Sequence, residues 1–126
     1  SPAHPFASSL TKQSAKALAE SYEASTRKQW TQPIGFAHAL FEVASDALQR
    51  SKSLKAADVR NAVAATKLKT VVGDVAWGGA GPFKNVSRTP LVLGQWHKGK
   101  KFRYELTLVN TEAAKAVPVG GQLKPM

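Results

Sequence analysis

The residues able to do acid–base, nucleophilic or metal chemistry are few in this chain, and their spacing argues against all three. The histidines, His4, His38 and His97, fall on three different predicted elements. No H-E-x-x-H-like pair places two imidazoles on one helix face. The absence of cysteine removes thiolate ligands, thiol nucleophiles and disulfides together. Serines are many, but none stands in a G-x-S-x-G elbow. The 8 Asp and Glu residues form no pair suited to general acid and base work. The run Gly78-Gly-Ala-Gly-Pro82 lacks the Lys-Ser/Thr that closes a phosphate loop, so it reads as a plain loop. No enzyme activity, cofactor or metal is expected.

One polar pair does share a helix. His38 and Glu42 are spaced i, i+4, which lets them meet as a polar contact at a binding site or as an ordinary helix-surface hydrogen bond. Their helix is announced by Pro33, suited to a first helical position behind a Thr31 or Gln32 cap, and is expected to run to about Arg50. Ile34, Ala37, Leu40, Phe41, Ala44 and Leu48 form a wide apolar stripe, widened by Phe36 and Val43. A helix apolar over so much of its circumference is expected to be largely buried. Before it, Thr11 or Ser14 caps a helix to about Arg27, with Ala15, Leu18, Ala19 and Tyr22 on one side. After it, Ser53 caps a third helix from about Leu54 to Thr66, turning Leu54, Ala57, Ala62, Val63 and Leu68 inward.

The Ser1–Phe6 stretch carries Pro2 and Pro5 and is read as extended. Thr70–Trp77 reads as a short strand pair, or as one strand interrupted at Gly73. Thr89–Val109 then gives two runs of β-branched and aromatic residues around a basic, Gly-containing turn, a hairpin signal. Leu91, Leu93 and Gln95 share one face of the first arm, against Val92, Gly94 and Trp96. In the second arm Phe102, Tyr104, Leu106 and Leu108 oppose Arg103, Glu105, Thr107 and Val109. Pro90 is placed at a strand start or an edge, and Gly99 is read as the turn residue able to take a positive φ. A lone hairpin is marginal in water, so two apolar faces need covering.

The 126 residues fit a single-domain size, and 43% hydrophobic residues suffice for a real core. No apolar run reaches the roughly 18 residues of a membrane span. A chain opening on Ser1, without the n-region or h-region of a signal peptide, is expected to be processed, truncated or engineered. The net charge is +10. Lys84, Arg88, Lys98, Lys100, Lys101 and Arg103 fall in a stretch free of acidic residues between Asp74 and Glu105. With Trp96, Phe102 and Tyr104 nearby, such a patch suits single-stranded nucleic acid, by stacking and phosphate contact. The plainer alternative is a solvated basic turn with inward-packing aromatics.

Four segments, L-T-K-Q-S-A-K-A-L-A-E-S-Y-E-A, Q-P-I-G-F-A-H-A-L-F-E-V-A-S-D-A-L, T-V-V-G-D-V-A-W and P-L-V-L-G-Q-W-H-K-G-K, carry a family resemblance. In succession they resemble the C-terminal third of the type I periplasmic solute-binding proteins of ABC importers, branched-chain amino acid class. The G-Q-W-H-K-G piece is the most specific. The resemblance implies an α/β fold in which residues 1–126 are the C-terminal segment of a bilobed receptor. Residues of about 7–78 would supply helices and a strand of the first lobe, packed on its sheet. Residues of about 88–110 would complete the second lobe as a hairpin, and 111–126 would form an irregular tail. It implies a periplasmic receptor that closes by a hinge over a small amino acid or related carboxylate, aromatic ones included. Its partners would be the upstream part of the same receptor, the solute and a cognate permease, with no nucleic acid. The groups that hold an amino acid's charged ends lie mainly upstream in this family. Where the family often has a Tyr facing the cleft, this sequence offers Phe36 and His38, which with Phe6 are the ligand-binding candidates. A small basic nucleic-acid-binding module is the alternative.

Overall fold

A computed structural model describes residues 5–79 and 81–125. The predicted extended segment is therefore seen only at Pro5 and Phe6; Ser1–His4, Ala80 of the glycine-rich loop and Met126 lie outside the described residues. The fold is mixed α/β, with three helices and two small antiparallel sheets.

Helix α1 spans Ala15–Thr26. Of the two candidate caps it is Ser14 that acts, its hydroxyl accepting from the Ala17 N–H at 3.0 Å. Arg27 closes the helix in the left-handed region at φ 57°. Helix α2 spans Gln32–Arg50 with Pro33 in its first turn, so the missing proline N–H is one the helix does not need. Helix α3 is shorter than expected, Ala56–Ala64. Ser53 organises the approach to it instead, accepting from the Lys55 N–H at 3.1 Å and donating to Asp58 at 2.5 Å.

A strand pair does form here, but its first strand begins at Lys67, ahead of the expected Thr70–Trp77, which holds the turn and the second strand. Strand β1 (Lys67–Thr70) and β2 (Gly73–Ala76) are antiparallel, with Thr70 opposite Gly73 and Val71-Val72 as the two-residue turn. The alternation is strict: Leu68, Thr70, Gly73 and Val75 are buried, while Lys67, Lys69, Asp74 and Ala76 face water. Gly73 sits at φ 109°, a conformation an L side chain resists.

Strands β3 (Leu93–Lys98) and β4 (Tyr104–Asn110) make the second hairpin, in a separate two-stranded sheet. Trp96 pairs with Leu106, Lys98 with Tyr104 and His97 with Glu105, and a bulge falls between Leu93 and Gly94. Pro90 precedes the strand. Gly99 has no positive φ among the described glycines; what requires it is space, since a Cβ there would collide with the Phe102 carbonyl and the Glu105 side chain. The tail beyond β4 is ordered by one 3₁₀ turn (Glu112–Ala114) and by burial of Val117.

Two small cores result. Ala15, Ala39 and Val71 pack with Leu18 and Val72 in the helical layer, and Leu108, Ala114 and Val117 pack with Phe6, Val92 and Leu106 under the hairpin. Phe6 thus belongs to the hairpin core although its backbone carbonyl accepts from Ala15, at the head of α1.

The α2 stripe departs from expectation. The buried residues are Gly35, Ala39, Glu42 and Ala47. The predicted inward residues Ala37, Leu40, Phe41, Ala44 and Leu48 are exposed, Phe41 by 72%. Leu54, also expected inward, is 83% exposed, and Ala57 and Val63 are exposed as well; Ala62 is buried as read, while Leu68 is buried from strand β1 and not from the helix. The physical reason is the size of what lies beneath. The short α3 and the two-stranded β1–β2 sheet pack on α2, and they cover a narrow strip of it made mostly of small residues.

A cleft at the start of the second helix and a basic hairpin

The N-terminal turn of α2 meets the hairpin core across an apolar cleft. Its lining includes Phe6, Trp30, Phe36, Val72, Val92 and Val117. Trp30 is held there by three contacts. Its backbone N–H donates to Glu23 Oε1 at 3.0 Å, its ring meets Tyr22 edge-on at 5.8 Å, and Gly35 leaves room for it. A Cβ at Gly35 would stand 3.2 Å from the indole, so glycine permits that approach. The enclosed space is about 40 Å³, enough for water and too small for an amino acid.

Of the three candidate site residues, the structure brings Phe6 and Phe36 together on the cleft wall and leaves His38 off it. His38 is half-buried on α2. It does not pair with Glu42, whose Oε2 accepts instead from the Val71 N–H at 3.1 Å. Glu42 is buried and its Oε1 has no hydrogen-bond partner. Its work is to hold the β1–β2 turn rather than to orient an imidazole. Trp30 and Val92 were not signalled as cleft residues by the sequence. A tryptophan at a helix break and a valine before a strand carry no periodicity that points to a shared wall.

Two polar ties hold the hairpin to the helices beside this cleft. Gln29 Nε2 donates to the Tyr104 carbonyl at 2.9 Å, and Lys101 Nζ reaches Glu23 Oε2 at 2.5 Å. The Lys101 hydrogen bond, with the Trp30 N–H next, lowers the Glu23 carboxyl below its ordinary value of 4.5. Glu105 is lowered too, chiefly by the Lys101 backbone N–H and also by those of Phe102 and Lys100.

The hairpin's aromatics do not all pack inward. Trp96 is 54% and Tyr104 47% exposed; the Arg103 guanidinium lies 5.6 Å from the Tyr104 ring centroid and Lys101 Nζ 5.1 Å from that of Phe102. Among the described residues no cluster of three or more metal-ligating side chains forms, and no helix is long and apolar enough to cross a membrane.

Compared with protein-family models, with curated proteins and with solved structures, the chain matches none.

Proposed function

We propose that this chain is the C-terminal segment of a type I solute-binding receptor of an ABC importer, of the branched-chain amino acid class. It acts in the periplasm, takes a small amino acid or related carboxylate by hinge closure and delivers it to a cognate permease. It is a receptor and not an enzyme, and needs no cofactor. The observation that carries this reading is the uncovered apolar face of α2, with Leu40, Phe41 and Leu48 turned to water. An apolar face of that extent marks a surface built to pack against something else, and the sheet of a first lobe would cover it. The cleft fits the same picture. Phe6 and Phe36 meet at the N-terminal end of α2, where backbone N–H groups favour a carboxylate. A solute would enter as the cleft opens and the upstream lobe supplies the groups for its charged ends. The test is calorimetry with leucine and phenylalanine. This chain alone should bind neither in the micromolar range, and the chain joined to its upstream lobe should bind one of them. Micromolar binding by the isolated chain would sink the reading.

A second reading, a basic module for single-stranded nucleic acid, is favoured by the outward Trp96 and Tyr104. Stacking on such rings is worth about 1–3 kcal/mol per base. Titration of an oligonucleotide over a salt series separates the two, because phosphate contacts give a steep fall of affinity with salt. The receptor reading expects no saturable binding.

A further inference from the structure

The hairpin has a second face, and the C-terminal tail arches over it. Gly120 and Gly121 both donate their N–H to the Leu108 carbonyl, at 2.8 and 3.2 Å. Farther on, the Gln95 amide grips the Lys124 backbone from both sides. Its Nε2 donates to the Lys124 carbonyl at 2.6 Å, and its Oε1 accepts from the Lys124 N–H at 2.9 Å. A Cβ at Gly121 would lie 2.9 Å from the Thr107 methyl, so glycine lets the tail come this close. Between tail and hairpin remains a groove of about 540 Å³, whose polar lining is Gln95, His97, Thr107, Gln122 and Lys124.

Among the described residues no carboxylate lines this groove. Glu105, opposite His97 in the ladder, turns its carboxylate to the N–H groups of Lys100, Lys101 and Phe102. None of the three ion pairs among the described residues uses Lys124. The Gln95 amide is occupied by the tail. The polar side chains left to meet a ligand are Gln122, Lys124 and the His97–Thr107 pair.

We propose that this groove binds a small oxyanion, a carboxylate or a phosphate-like group, between Lys124 and the His97–Thr107 pair. His97 Nδ1 lies 2.9 Å from the Lys98 carbonyl, which can only accept, so Nδ1 carries the proton. In the neutral ring Nε2, 2.6 Å from Thr107 Oγ1, must then accept the hydroxyl proton. A proton added to His97 reverses that bond. Nε2 now donates to Thr107 Oγ1, the Thr107 hydroxyl is released to donate into the groove, and a positive charge is added. An anion thereby gains one further donor and one further positive charge, and binding takes up a proton. The site stands apart from the solute cleft and does not depend on the receptor reading.

The test uses this chain, sulfate and acetate as probes, and amide NMR at about pH 5.5 and about pH 8, either side of the range where histidines commonly titrate. Ionic strength is matched with chloride. The expected result is a saturable shift of the Thr107, Gly120 and Gly121 amides, about tenfold tighter at the lower pH. His97→Gln should abolish the pH dependence, Lys124→Gln should weaken binding at both pH values, and Phe36→Ala should change neither. Shifts that do not saturate, that chloride reproduces, or that are equally strong at both pH values would overturn the proposal.

Discussion

Glu42 Oε2 holds the Val71 N–H at 3.1 Å, joining the middle of α2 to the turn of a hairpin 29 residues later. Val71 is 1% exposed and packs with Ala15 and Ala39, so this bond fixes the point where both helices and the first sheet meet. Glu42→Ala would leave a buried backbone N–H without a partner. It is expected to cost about 1–3 kcal/mol, the range for a buried donor left unsatisfied. Urea unfolding followed by far-UV circular dichroism measures it, and a loss under about 0.5 kcal/mol would mean that the turn holds itself.

The Glu23–Lys101 pair predicts an acid dependence. The folded carboxyl is lowered below 4.5, so its contribution is present above that value and fades as pH falls through the lowered one. Lys101 is largely exposed, so the pair contributes about 1 kcal/mol or less. Thermal unfolding from neutral pH to about pH 3 should show the advantage of the natural chain over Glu23→Gln shrinking on acidification. An advantage constant with pH would remove the ion pair as its source.

Phe41 separates a free surface from a waiting interface. Phe41→Ala should shift the stability of this chain by no more than about 0.5 kcal/mol, since the ring is mostly in water. In the complete receptor the same change should cost about 3 kcal/mol or more. Equal small effects in both settings would leave the face uncovered and the receptor reading without its main support.

The sequence carried the local features well where the physics is local. The Ser14 cap, Pro33 in the first turn of α2 and the hairpin arms around Lys98–Arg103 all follow from neighbours in the chain, whereas Leu68, read as the inward end of α3, belongs to strand β1. The face of α2 did not, because a stripe of apolar residues says that something must cover it and not what is present to do so. Gly35 and Ala39 won the contact with the Val71–Val72 turn, and Phe41 was left outside. Glu42 was misassigned for a related reason. Its i−4 neighbour His38 is visible in sequence, whereas its actual partner is a backbone N–H brought by tertiary folding. In the candidate site, Phe6 and Phe36 were named through the family resemblance and both line the cleft, whereas Trp30 and Val92 reach the same wall from different elements.

Affinity in the complete receptor tests the central claim most directly. Calorimetric titration with the amino acid that binds would compare the natural protein with Phe36→Ala and Phe6→Ala, with unfolding curves confirming that each variant stays cooperative. The account predicts losses of roughly ten- to a hundredfold, about 1.4–2.8 kcal/mol, for both, and a smaller loss for His38→Ala, which stands off the cleft wall. Unchanged affinity for Phe36→Ala and Phe6→Ala would reduce the cleft to packing between two small cores and contradict the assignment.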